Sequence, residues 1–137
     1  MKNSREFLLK RETANDYNER LVVFTHLCER YRKWAQKPLR ILDIGCGKNV
    51  EMIRVKVDGD FYCGVDFFDR VNVTLDRYVS IDFNEEKLSE KLKGETFDVI
   101  FCGEVIEHLF SPDDLLDDLR TLMNSKSILI LSTPNLG

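Results

Sequence analysis

The apolar positions of this chain fall into two kinds of run. In one kind they recur at three- and four-residue steps. Leu21, Phe24, Thr25, Cys28 and Tyr31 keep such a spacing and predict a helix over residues 14–34, with Asn15 or Asp16 at the cap and Pro38 shortly past its end. Leu88 and Leu92 predict a charged amphipathic helix over residues 84–93, stopped by Gly94. Leu115, Leu116, Leu119 and Leu122 form the inner face of a third helix. Ser111-Pro112-Asp113-Asp114 opens it with a capping hydroxyl, proline at the first position and two acids at the positive end of the dipole.

The second kind of run is short and almost wholly apolar, as a strand covered on both faces must be. Residues 39–44, 61–66, 78–81, 97–102 and 127–131 read this way. Residues 49–57 predict a short helix, and Asp58-Gly59-Asp60 a turn. Strands alternating with helices predict an α/β fold, a doubly wound and mostly parallel sheet with helices on both faces. Only about a dozen residues separate Asp66 from the third strand, near the minimum for a parallel crossover, so the helix there is very short or absent.

Chemistry concentrates where strands end. Leu42-Asp43-Ile44-Gly45-Cys46-Gly47 runs from a strand into a glycine turn, where the backbone approaches a ligand that a Cβ would push away. Asp43 stands at the junction, an acceptor for a ligand's charged or polar end. The dinucleotide pattern Gly-x-Gly-x-x-Gly is not met, because position 50 is Val. Asp66 follows Gly45 by twenty-one residues at the end of the second strand, where an acid grips vicinal ribose hydroxyls, and Phe67 is placed to pack on a purine.

These residues resemble motif I of the class I S-adenosylmethionine-dependent methyltransferases. That family usually carries a third glycine where this chain has Asn49, a residue that tolerates positive φ. Phe97-Asp98-Val99-Ile100 followed by Glu104-Val105-Ile106-Glu107-His108 is similar to the post-motif segment of many of these enzymes, especially the ubiquinone-pathway O-methyltransferases, and Ser132-Thr133-Pro134-Asn135 resembles a tetrapeptide of the same enzymes. The resemblance covers roughly residues 38–135. It implies S-adenosyl-L-methionine as cofactor and strand order 3-2-1-4-5, with the family's last two strands missing. It also implies cofactor contacts from Asp43, Gly45, Cys46, Gly47, Asp66, Phe67, Asp82, Phe83, Cys102 and Gly103. Asp82 would accept the adenine amino group, and Cys102 or Gly103 would offer backbone contacts to the amino acid end. Segments before motif I often cover the cofactor in this family, so Tyr17 is a candidate there, beside the simpler reading of a helix laid on the sheet.

Methyl transfer to a hydroxyl is helped by a general base. His108, just past a strand tip, is the candidate, with Glu107 as alternative or orienting partner. The implied function is methyl transfer to a small-molecule oxygen or nitrogen. Two alternatives stand beside it. One is a truncated, non-catalytic S-adenosylmethionine-binding module whose fifth strand is an edge open to pairing with a second copy. The other is a metal-dependent RNA 2′-O-methyltransferase, since Glu104, Glu107 and His108 form a divalent-ion ligand pattern; that family adds another His, and this chain has none after 108.

Composition narrows the class without naming it. At 137 residues the expectation is one domain, with an N-terminal arm and helix over 1–37 and the cofactor-binding core over 38–137. Hydrophobic residues make up 43% and charged residues 32%, ordinary for a folded soluble chain. A net charge of −4 without a basic block disfavours a broad nucleic-acid surface. Four cysteines without a Cys-x-x-Cys pair suit reduced core thiols and a cytoplasmic address, and no apolar run is long enough for a membrane span.

Overall fold

The computed structural model describes residues 17–132. The polar arm, the capping candidates Asn15 and Asp16, the Tyr17 side chain and Thr133-Pro134-Asn135 lie outside what is described. Five strands, β1 (Arg40–Ile44), β2 (Phe61–Asp66), β3 (Arg77–Ser80), β4 (Phe97–Gly103) and β5 (Met123–Ser132), make one sheet. Their order is β3-β2-β1-β4-β5, and every pairing is parallel. The chain winds outward from β1 to β3, then returns to the other side of β1. The carboxyl ends of β1 and β4 therefore flank the point where the winding reverses, the place where ligands settle in such sheets.

Strand alternation divides the core in two. Ile41, Tyr62, Val99, Phe101 and Ile128 face α1 (Tyr17–Ala35), which lays Leu21, Phe24, Leu27, Cys28 and Tyr31 on them. Phe24 stacks on Phe101 with centroids 5.2 Å apart, and the Tyr31 hydroxyl donates to the Lys126 carbonyl at 2.8 Å. Thr25 is only half-buried and donates back to the Leu21 carbonyl. On the opposite face Leu42, Val65, Ile100 and Cys102 meet α2 (Leu88–Lys91) and α3 (Pro112–Arg120) through Leu88, Leu92, Leu115, Leu119 and Leu122. Leu116 is half-buried. All four cysteines are buried and free, and no helix among the described residues is long and apolar enough to cross a membrane.

Several elements are shorter than their patterns predict. Residues 84–93 hold only the four-residue α2, because Asp82 turns the chain first by accepting the Asn84 N–H at 3.0 Å. The segment after the glycine turn is a 3₁₀ helix, Glu51–Val55, rather than an α-helix over 49–57. Ser111 makes no side-chain cap; Pro112 and the two acids open α3 without it. Positive φ falls on Val50 (45°), not on Asn49. Val50 is fully buried, so its packing sustains that backbone, while Asn49 turns outward and accepts from the Asn72 amide. Between β2 and β3 there is no helix. β5 begins at Met123, ahead of the apolar run. Its pairing with β4 jumps from Phe97↔Met123 to Val99↔Ile128, and Ser127 Oγ donates to the Phe97 carbonyl across the irregular stretch.

Acids at the amino ends of the strands tie the sheet down. Asp60 takes Arg32 in a two-point ion pair, 2.9 and 2.7 Å, and also accepts the Leu39 N–H. Asp98 accepts from Lys37 and from the Arg40 N–H, and Asp76 from the Tyr62 N–H. All of this lies at the edge opposite the glycine turn.

Candidate functional site

Gly45 and Gly47 both hold φ near +75°, a conformation that side chains resist. A Cβ on Gly45 would lie 2.5 Å from Val105 Cγ2, whereas one on Gly47 would meet nothing within 4 Å. The first glycine is required by packing against the loop after β4, and the second by backbone conformation alone. Asp66 joins this turn to β2: Oδ2 accepts the Gly47 N–H at 2.8 Å and Oδ1 the Phe67 N–H at 2.7 Å.

A cavity of about 890 Å³ opens over these tips. Of the residues singled out by sequence, Gly45, Gly47, Asp66, Phe67, Asp82, Phe83, Gly103 and His108 line it. Phe67 is 70% exposed. Asp43, Cys46, Cys102 and Glu107 do not line it. Asp43 and Cys46 border a second, small cavity of about 30 Å³, which shares Arg20, Gly45 and Gly103 with the large one. Cys102 is wholly buried beneath Gly103, and burial pushes its thiol up to about 12.

Asp43 is 4% exposed, and its Oδ2 accepts the Tyr62 hydroxyl at 2.6 Å. Burial raises its carboxyl to about 6; Tyr62 opposes that rise, Asp66 adds to it and Arg20 opposes it. Burial, together with the neighbouring carboxylates of Asp43 and Asp66, holds the Cys46 thiol protonated.

The loop after β4 sorts the acid-and-histidine pattern into two pairs. Glu104, with φ of 55°, turns back to α1 and meets Arg20 at 2.9 Å. Glu107 faces His108, Oε1 to Nε2 3.5 Å, with the imidazole largely exposed. Glu104 thus turns away from the Glu107–His108 pair, and among the described residues no group of three or more His, Cys, Asp or Glu is placed to hold a metal ion.

Sequence reasoning missed Arg20. It lies on the helix predicted to be sheet covering, and its spacing gave no signal; only the docking of α1 against β4 brings it to the cavity. Ser132, which the sequence marks only as the start of the Ser132-Thr133-Pro134-Asn135 resemblance, stands beside Gly103. Its Oγ is buried without a hydrogen-bond partner among the described residues, 3.7 Å from where a Gly103 Cβ would stand.

Comparison with known proteins agrees with the fold. A family model described as a methyltransferase domain matches residues 16–137. The ubiquinone biosynthesis O-methyltransferase of Roseobacter denitrificans is 36% identical over 110 residues, covering 72% of this chain and 42% of that protein. Its counterpart in Histophilus somni is 27% identical over 108 residues, 70% of this chain and 45% of that protein. The chain thus spans less than half the length of these curated relatives. Among solved structures, the plantazolicin methyltransferase BpumL in complex with a monoazolic desmethylPZN analog and SAH superposes with a TM-score of 0.65 at 20% identity, covering 82% of this chain and 46% of that one. Coclaurine N-methyltransferase bound to N-methylheliamine and SAH gives 0.57 at 20% identity, covering 89% and 38%.

Proposed function

From the premise that this chain belongs to the S-adenosylmethionine-dependent methyltransferase family, we propose that it binds S-adenosylmethionine across the strand tips and serves methyl transfer to a small-molecule oxygen or nitrogen. The observation that carries the reading is the Asp66 carboxylate, which anchors the glycine turn and borders the large cavity at the reversal of strand order. The O-methyltransferase relatives favour oxygen.

The residues fit the cofactor. The Gly47 turn leaves room that a side chain would fill, a Ser132 hydroxyl without a hydrogen-bond partner among the described residues lies beside Gly103, and the cavity is within the usual size for ligand sites. Asp66 would take the ribose hydroxyls, Asp82 the adenine amino group, and Phe67 and Phe83 the ring faces. At the other end Arg20 offers a cation to the amino acid carboxylate. Gly45 and Gly103 would border that end, with Asp43 and Cys46 behind them on the small cavity. When bound, the cofactor supplies a methyl group on a sulfonium whose positive charge already activates the leaving group.

The protein's own part is therefore to orient the acceptor, exclude water and manage one proton. His108 borders the cavity and would take the proton of an acceptor hydroxyl, with Glu107 orienting its ring. A second reading, a binding module completed by another copy, draws on β5 being an edge of the sheet among the described residues, with Leu131 exposed. Sedimentation showing a dimer that binds the cofactor without turnover favours it.

The deciding experiment is calorimetric titration with S-adenosylmethionine and its demethylated product, beside Asp66→Ala. Micromolar binding, about 8 kcal/mol, that the variant loses while keeping its fold supports the reading. A folded wild-type chain that binds neither compound overturns it.

A further inference from the structure

We propose that Tyr62 is a positioning residue for the cofactor: its hydroxyl holds the Asp43 carboxylate behind the glycine turn and sets the pH below which that carboxylate stops attracting the cofactor's ammonium group. This rests on the reading above and adds to it a pH-dependent control of binding.

The geometry is specific to this pair. In the register of β1 with β2, Asp43 lies opposite Gly64 and Tyr62 two residues back on the same face. Gly64 sends no side chain between them, so the phenol reaches diagonally to Asp43 at 2.6 Å. Tyr62 is wholly buried and Asp43 nearly so, which strengthens a hydrogen bond to a carboxylate and makes its loss costly. The small cavity beside Asp43 has room for about one water molecule. It adjoins the large cavity through Arg20, Gly45 and Gly103. Asp43 can therefore act on a cationic group at the glycine turn, directly or through that water, without itself lining the large cavity.

Other groups facing Asp43 set the background against which Tyr62 works. Arg20 on α1 favours its charged form and Asp66 at the end of β2 opposes it. Glu51 and Cys46 border the same small cavity, and the Cys63 and Cys102 thiols feel the carboxylate from the other face of the sheet. Tyr62 donates a hydrogen bond to the carboxylate, so removing its hydroxyl moves the ionisation of Asp43 upward.

Two measurements test this. The first is a pH titration of the ligand-free protein by carboxyl ¹³C NMR, comparing wild type with Tyr62→Phe. The second is calorimetry with S-adenosylmethionine from about pH 5 to pH 8 on wild type, Tyr62→Phe, Asp43→Asn and the double variant. Wild-type affinity is expected to fall about tenfold from pH 7 to pH 5. Tyr62→Phe should move the midpoint upward in both measurements, Asp43→Asn should flatten the profile, and the double variant should match Asp43→Asn. An unmoved midpoint in Tyr62→Phe overturns the proposal, as does equal weakening by Tyr62→Phe at every pH and in the Asp43→Asn background. Should Tyr62→Phe not fold, 3-fluorotyrosine placed at position 62 replaces it: its more acidic hydroxyl is a stronger donor to Asp43, so a midpoint moved downward upholds the proposal and an unmoved one overturns it. Absence of binding by wild type at any pH overturns the underlying reading, whereas binding with an unmoved midpoint overturns this inference alone.

Discussion

Val105 presses on Gly45: a Cβ built on that glycine would stand 2.5 Å from Val105 Cγ2 and 3.0 Å from the Gly103 carbonyl oxygen. The turn after β1 and the loop after β4 thus fit together only while position 45 has no side chain. Gly47, with the same φ, faces open space. Gly45→Ala should therefore lower stability by about 2–4 kcal/mol, combining left-handed strain with overpacking, and Gly47→Ala by only about 1 kcal/mol. Adding Val105→Ala should recover part of the first loss and none of the second. Urea denaturation of the four variants checks this, and equal losses at the two glycines would contradict it.

Asp43 gives a stability effect of unusual sign. Its carboxyl is raised to about 6, chiefly by burial, so the folded state prefers it protonated. The associated stability is fully present below the unfolded value, near pH 4, and is lost as pH rises through about 6. Asp43→Asn should then be more stable than wild type at pH 7, by roughly 1–3 kcal/mol, with the difference vanishing below about pH 4. Denaturation at both pH values tests the sign.

Asp60 behaves in the opposite way. Burial pushes its carboxyl up, but Arg32 and the N–H groups of Leu39 and Val57 outweigh this and leave it below the ordinary value. Its contribution is present above the unfolded carboxylate range and is lost only as pH falls below about 4. Asp60→Ala would strand a largely buried guanidinium and should cost about 3–5 kcal/mol at neutral pH, without a direct effect on the cavity at the far edge of the sheet. Thermal unfolding beside ligand titration separates the two: weaker stability with unchanged affinity is the expected pair.

His108 lies on the cavity wall and its imidazole is mostly exposed, so its removal should leave the fold intact. Once an acceptor hydroxyl is identified, His108→Ala should reduce turnover about 10²–10⁴-fold while cofactor affinity stays the same. Turnover unchanged across pH would remove His108 from the reaction.

The sheet was legible because its signals are local. Five short apolar runs, separated by helical spacings too regular for loops, leave few topologies open, and parallel strands covered on both faces need that composition. The glycine turn was equally plain, since Gly45 and Gly47 stand where side chains are refused. Element lengths were less legible. Residues 84–93 carry a helical pattern, yet Asp82 caps its own turn and leaves four helical residues. The positive φ moved from Asn49, which local preference favours, to Val50, which the core holds in place.

What the sequence by itself determined is the set of strands and the acids at their tips, because these follow from periodicity and local turn chemistry, whereas the strand order was implied only by the family resemblance. The tertiary structure decided which acids face what. Asp43, Asp60, Asp66 and Asp98 all adjoin strands, but Asp60 and Asp98 secure the amino ends, Asp66 borders the large cavity and Asp43 lies behind it on Tyr62. It also brought Arg20 across from α1 to Glu104. Those placements depend on contacts between residues 19 to 84 positions apart, and a pairing over such distances leaves no periodic trace in the chain.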